Sequence, residues 1–253
     1  VGPQDTERVA EGWTPEQAAL IEWLSQQTYR LGDGQLDTFW GMGAESRQLA
    51  FTSRRYHLAF CFYAVAGAFQ HVPGYAAEAR RILDWLMEQM LDFRTWGYSR
   101  EYWPEELDPF SCEENVMWLG HVLAMVTLYE ALLGDTRFRS RIAVRDPQGN
   151  VFVSSTPALA AHIAYAYRSS PHGGLCCEPG LVFFMCQNHA LYGLRLEERL
   201  SGTRFQDVLD RWESYAMQHF GAHLGGAIQL CQVSCLSWQL PARLGHLGAD
   251  GWS

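Results

Sequence analysis

The stretch "SCEENVMWLGHVLAMVTLYEALLGD" (111–135) decides the fold. Ser111 and Glu114 stand at capping-box spacing, and from Val116 to Tyr129 almost every residue is apolar. A helix that is apolar all round has no face to offer water, so it belongs inside a protein. The run 116–129 is too short to cross a bilayer, carries His121 and is followed by Glu130, so no membrane span is expected. Outward from it the pattern alternates. "TSRRYHLAFCFYAVAGAFQ" (52–70) reads as a second inner helix, and "YAAEARRILDWLMEQMLDF" (75–93), with one charged face, as an outer one. A first helix opens at Thr14, with Pro15 at its first helical position and Gln17 completing a capping box. Further helices are predicted over 155–170, over 179–202 behind Pro179, over 203–221 and over 226–240. Between them "IAVRDPQGNVFVSS" (142–155) predicts a β-hairpin insertion, spanning 145–153 about an Asp-Pro-Gln-Gly-Asn turn. The expectation is an all-α chain: a single domain over 1–253, built of helical hairpins as an (α/α) toroid.

Composition narrows the function. With 48% hydrophobic and 13% aromatic residues the chain can fill a large core. A net charge of −9 with 19 scattered Lys and Arg argues against nucleic acid as a partner, because phosphate binding needs clustered cations. Seven cysteines in 253 residues are too sparse, and odd in number, for a disulfide scaffold. The opening "VGPQDTERVAEGW" lacks a basic start and an apolar run, so the expected location is cytoplasmic, although the mature form of an exported protein would read the same way. There is no G-x-G-x-x-G, P-loop, H-E-x-x-H or G-x-S-x-G pattern.

The chemistry gathers in "CCEPGLVFFMC" (176–186). If Pro179 opens the following helix, Cys177 sits at its start, where free N–H groups favour a thiolate, and Cys186 lies about two turns inside without that help. Two thiols of unequal acidity can serve as acid and base. Zinc is the alternative, through His172, Cys176, Cys177, Cys186 and His189, but the paired C-x₂-C spacing is missing. His121 stands between Met117 and Met125, each four residues away on one helix face. Glu105, Glu106, Asp108, Glu113 and Glu114 offer a carboxylate pair of glycosidase type, or simply a solvated loop.

Two segments carry a resemblance. "LCCEPGLVFFMCQNHALYG" (175–193) and "DPFSCEENVMWLGHVLAMVTLYEALLGDTRF" (108–138) resemble, in the same order, segments of the linalool dehydratase/isomerase family. That resemblance implies an (α/α)6 barrel, no metal or organic cofactor, and acid–base chemistry in an apolar cavity that moves water and double bonds in terpene alcohols. It makes Cys177 and Cys186 the catalytic cysteines, His121 the active-site histidine and Met117 a cavity residue, with Glu178 beside Cys177. A weaker match over 52–67 puts the family's cavity tyrosine at Ala59, leaving Tyr56 or Tyr63 to fill its role. The family's upstream aspartate and tyrosine come from a neighbouring subunit, which implies a homo-oligomer. Here "GDGQLDTFWGMG" (32–43) offers Asp37 and Trp40 but no tyrosine. A closed barrel needs twelve helices and eight are predicted, so the expected barrel is incomplete at its C-terminus or closes through contacts between copies.

The expected function is therefore a cofactor-independent lyase, isomerase or cyclase acting on a terpenoid or similarly apolar small molecule. Catalysis falls to Cys177, Cys186, His121 and Asp37, with Met117, Tyr56, Trp40, Glu178, Phe184 and Trp118 around the substrate. The alternatives are a carbohydrate-active (α/α) barrel using the acidic loop, or a non-catalytic lipid- or terpenoid-binding protein.

Overall fold

The computed structural model describes residues 14–30, 47–71, 76–171, 173–219, 221–224, 227–230, 233–235 and 240–242. Asp37 and Trp40 lie outside the described residues. The protein is predominantly helical, and the chain divides into two compact units, Val1–Trp96 with Leu132–Gly134 and Gly97–Ala131 with Asp135–Ser253.

In the first unit, helix α1 (Pro15–Arg30) begins as its sequence requires. The Thr14 N–H donates to Gln17 Oε1 at 3.0 Å and the Gln17 N–H donates to Thr14 Oγ1 at 3.3 Å, the reciprocal capping box. Helices α2 (Arg47–His71) and α3 (Ala76–Leu91) pack together as a hairpin, followed by a single turn, α4 (Phe93–Trp96). Ala79, Ile82, Leu83, Leu86 and Met90 recur at helical spacing and form the buried stripe of α3. The opposite charged residues are used locally. Arg81 donates to Glu78 Oε1 at 2.5 Å and to the Ser25 carbonyl at 3.3 Å, joining α3 to α1.

The second unit opens with a turn of helix, α5 (Ser99–Tyr102), and its centre is α6 (Val116–Leu133). Every residue of α6 from Val116 to Tyr129 is buried, as an all-apolar helix demands. At 18 residues α6 is longer than the apolar run predicted, and by length and composition alone it could cross a membrane; its burial within the protein is that of a core helix. A short α7 (Arg137–Ser140) leads into strands β1 (Ile142–Arg145) and β2 (Val151–Ser154), the expected antiparallel hairpin, in register Ile142↔Ser154 to Arg145↔Val151. Asp146 holds its turn by accepting from the Asn150 N–H and Nδ2, both at 2.8 Å, and Arg100 reaches the same carboxylate at 3.2 Å. Helix α8 (Thr156–Ser169) starts at Ser155, whose side chain accepts from the Ala158 N–H, with Pro157 in the first turn.

Two expectations are corrected beyond this point. The predicted helix 179–202 begins late: residues Leu181–Phe183 form strand β3, and helix α9 runs Phe184–Ser201, ending at Gly202 with φ 77° in the left-handed C-cap conformation. Pro179 therefore lies in a turn, and it is the extended run Leu-Val-Phe that follows it. After α10 (Gln206–His219) comes strand β4 (Gly221–Leu224), and within the region read as helix 226–240 lie β5 (Ala227–Leu230), β6 (Val233–Cys235) and the first residue of β7 (Leu240–Ala242). β4 pairs with β5, and β3, β6 and β7 form an antiparallel sheet in the order β3-β6-β7. Short apolar runs carry no decisive period, and here a partner already extended at Leu181–Phe183 settles the choice.

Helices α6 and α9 cross at the closest range that backbones allow. A Cβ at Gly120 would lie 2.9 Å from the Ala190 nitrogen, and one at Gly193 would lie 2.8 Å from Leu123 Cγ and 2.9 Å from the Ala124 nitrogen. The contacts advance in the same sense along both chains, so the two helices run parallel. Gly67 of α2, by contrast, has nothing within 4 Å of its would-be Cβ. Gly193→Ala is expected to lower stability by about 1–3 kcal/mol through overpacking. Gly67→Ala should raise it by up to about 1 kcal/mol through helix propensity. Urea midpoints of the two variants check both signs.

Candidate active site

The thiol segment is built as a tight turn. The Cys177 N–H donates to the Leu181 carbonyl at 2.9 Å, and the Leu181 N–H donates back to the Glu178 carbonyl at 2.9 Å. Cys177 and Cys186 are 1% and 2% exposed, so both thiols sit in the interior. Because α9 starts at Phe184, Cys186 is the third residue of its first turn. The helix start, with its positive dipole end, thus lies at Cys186 and not at Cys177, the reverse of the expectation.

Gln187 locks this arrangement. Its Oε1 accepts from the Tyr167 hydroxyl at 2.7 Å and from the Leu175 N–H at 2.9 Å, and its Nε2 donates to the Leu175 carbonyl at 2.8 Å and the Phe183 carbonyl at 3.0 Å. All four hydrogen-bonding positions of the amide are filled, which also fixes which end is oxygen. Tyr167 of α8 is fully buried; burial, reinforced by the nearby Cys186, holds its phenol well above the usual range. One step along, the Cys176 carbonyl accepts the Val116 N–H at 3.1 Å, so the thiol turn also abuts the first residue of α6.

From that end of α6 the other motif residues follow. Met117 and His121 are buried one turn apart. The His121 ring lies against the ring of His189, centroids 4.0 Å apart and planes at 39°. His189 is one turn beyond Cys186 on α9, so the ring pair and the Cys186 thiol share one end of the crossing. Burial pushes the His189 imidazole down to about 4. Asn115, immediately before α6, is wholly buried; its amide is bonded to the Tyr98 hydroxyl, and its Nδ2 has no hydrogen-bond partner among the described residues.

The remaining expected residues are placed as follows. Glu178 lies in the thiol turn, partly exposed. Phe184 opens α9 with its ring 5.7 Å from that of Trp212, and Trp118 is buried with its ring 5.3 Å from Phe110. Tyr56 belongs to the first unit, where the Arg55 guanidinium lies 4.7 Å over its ring and donates to its hydroxyl at 3.3 Å. Two carboxylates of the acidic loop brace the loop itself. Asp108 accepts the Phe110 N–H at 2.9 Å, and Glu114 accepts the Trp103 indole N–H at 2.8 Å. Among the described residues no three of His, Cys, Asp and Glu converge as metal ligands. The neighbouring thiol Cys176 is pushed up to about 12 by burial and by the charge of Glu114.

Gln187, Tyr167, Asn115 and the pairing of His189 with His121 were not read from the sequence. A signal existed for the last: Cys186, His189 and Gly193 fall on one face of α9, and glycines inside apolar helices mark close approach. Between about pH 6.5 and 4 the unfolded chain binds a proton at His189 that the folded chain refuses, so this residue makes stability fall as pH falls through that window. His189→Phe should therefore show a shallower loss of urea midpoint between pH 6.5 and 4 than the unaltered protein, by up to about 1.4 kcal/mol per pH unit.

Residues 55–235 match the family model of linalool dehydratase/isomerase, a span that takes in the thiol turn, Gln187, both histidines and the whole of α6 and α9. Covering more than half of the chain, that match shows that this protein belongs to the linalool dehydratase/isomerase family, a family of lyases and isomerases.

Proposed function

We propose that the protein is a cofactor-independent lyase or isomerase that acts on a terpene alcohol or a similarly apolar alcohol by thiol and imidazole proton transfer, with cyclisation as a further outcome of the same cation. The observation that carries this reading is the placement of two buried thiols on either side of one tight turn, braced against the helix that bears His121. The family supports both the reaction class and an apolar small-molecule substrate.

In the proposed cycle the Cys177 S–H gives its proton to the substrate hydroxyl, the C–O bond breaks and water leaves. An allylic cation remains. Cys186 starts as the thiolate, favoured by the first-turn N–H groups of α9, and takes a proton from the adjacent carbon, so that the C–H electrons form the new double bond. His121 returns the proton from Cys186 to Cys177, accepting at one ring nitrogen and donating from the other. Run backwards to a different carbon, the same steps add water and isomerise the alcohol. Asn115, with an amide hydrogen to spare, suits the substrate oxygen. Asp37 and Trp40 are proposed to complete the site from a second copy of the chain. The free thiols of Cys112, Cys176, Cys177 and Cys186 fit a reducing, cytoplasmic setting.

The test is product analysis by gas chromatography after incubation with linalool in D₂O. The expected result is an alkene or isomerised alcohol carrying deuterium at the exchanged carbon. Cys177→Ala and Cys186→Ala should each lower turnover on the order of 10²- to 10⁴-fold, with unchanged circular dichroism. Folded double-alanine protein that retains full turnover would sink thiol catalysis. Binding of the alcohol without any product would favour a carrier.

A further inference from the structure

The limb of chain that enters the thiol turn passes α10 so closely that only glycine fits. A Cβ at Gly174 would lie 2.5 Å from Trp212 Cζ3, 3.0 Å from Trp212 Cε3 and 3.0 Å from Val182 Cγ1, and one at Gly173 would lie 2.9 Å from Tyr215 Cβ. The indole of Trp212 is therefore seated on the entering limb. Its ring also lies 5.7 Å from that of Phe184, which closes the leaving limb and opens α9, and 6.0 Å from that of Tyr215, three residues on along α10. Trp212 is buried among these neighbours, so its ring has little room to swing aside. Between Gly174 and the first thiol there is no slack. The Gly174 carbonyl accepts from the Ser170 hydroxyl at 2.7 Å, Leu175 is bonded to Gln187 through both its N–H and its carbonyl, and the Cys176 carbonyl accepts the Val116 N–H. A shift imposed at Gly174 is thus carried to Cys177 instead of being absorbed on the way.

We propose that Trp212 is a positioning residue that sets the spacing between the limb carrying Cys177 and the limb leading to Cys186, through van der Waals contact with Gly174 on one and Phe184 on the other. The inference rests on the thiol chemistry proposed above. It goes beyond it by giving α10, which bears none of the motif residues, control over where one thiol stands relative to the other. Trp212 acts through the backbone of the turn and takes no part in proton transfer. What matters is the bulk of its ring, so a methyl group added at Gly174 and a ring removed at 212 should compensate each other.

The experiment compares Gly174→Ala, Trp212→Leu, the double variant and Val208→Ala in the full chain. Leucine at 212 removes both ring carbons that the added methyl would meet. Val208→Ala serves as the control, since it thins the buried face of the same helix and leaves Trp212 in place. The first readout is the ratio of Cys177 to Cys186 alkylation by iodoacetamide in the folded protein, resolved by mass spectrometry. Lower stability exposes both thiols alike, whereas a displaced turn changes one against the other. Gly174→Ala and Trp212→Leu should each shift the ratio on the order of threefold or more, and Val208→Ala should leave it unchanged. The second readout is turnover of linalool. Gly174→Ala should lower kcat on the order of 10- to 100-fold with KM changed less than about threefold, and the same substitution made in Trp212→Leu should cost less than about threefold. If Trp212→Leu leaves the ratio unchanged, if Val208→Ala shifts it equally, or if Gly174→Ala costs the same in both backgrounds, the positioning role is overturned. If the unaltered protein turns over no alcohol, the proposed function fails while the labelling ratios still decide the role of Trp212. Should Gly174→Ala not fold, the comparison of Trp212→Leu with Val208→Ala carries the same decision.

Discussion

The second unit depends on the crossing of α6 and α9, where Gly120 meets Ala190 and Gly193 meets Leu123 and Ala124 at distances that exclude any side chain on either glycine. Close backbone approach is strict in a way that ordinary hydrophobic packing is not, because no rotamer change can relieve a clash with a main-chain atom. It sets the register of one helix on the other. With register set, His121 and His189 must face each other, and Cys186 must lie one turn further toward the start of α9. Chemistry-bearing residues from two distant parts of the chain are thus brought together by residues that have no side chains at all.

The thiol turn needs a different kind of restraint, since a loop cannot be positioned by close packing alone. Gln187 supplies it by spending its whole hydrogen-bonding capacity on Leu175, Phe183 and Tyr167. A fully satisfied buried amide is worth modest stability but strongly disfavours alternatives, because any shift of the turn leaves polar atoms unpaired in the interior. Ion pairs are kept elsewhere. Arg139 bridges Glu130 at 2.7 Å and the buried Glu197 at 3.0 Å, toward the far end of α9. Glu197 lies about three turns beyond Cys186 on α9, and these ion pairs steady that end of the helix.

Much of this could be read from the chain alone, for a physical reason. Capping at Thr14, the all-apolar run of α6 and the Asp-Pro-Gln-Gly-Asn turn are local signals, and each appears where expected. The helix start at Pro179 and the helix over 226–240 were misread because both depend on a strand partner distant in sequence. Val182 prefers an extended backbone only weakly, and its pairing with Ser234 decides the matter. That one error carried a chemical consequence, since moving the helix start from Pro179 to Phe184 transfers the helix dipole from Cys177 to Cys186. The motif singles out the two thiols, and only the backbone shows which of them stands at the start of a helix.

The two buried amides of the site show the same chemistry put to opposite uses. Gln187 has every donor and acceptor engaged and so can only hold its neighbours still. Asn115 has its oxygen engaged by Tyr98 and an amide hydrogen to give. A protein that buries an incompletely bonded amide forgoes about 1–3 kcal/mol relative to one that satisfies it. Such a cost is sustained where the missing partner arrives later, and an alcohol oxygen has the geometry and polarity to be that partner. An apolar cavity with one such donor would bind a terpene alcohol in a single orientation, whereas a cavity without one would bind it in many. Under this reading Asn115 decides which carbon faces the thiols, and the thiols decide what happens to it.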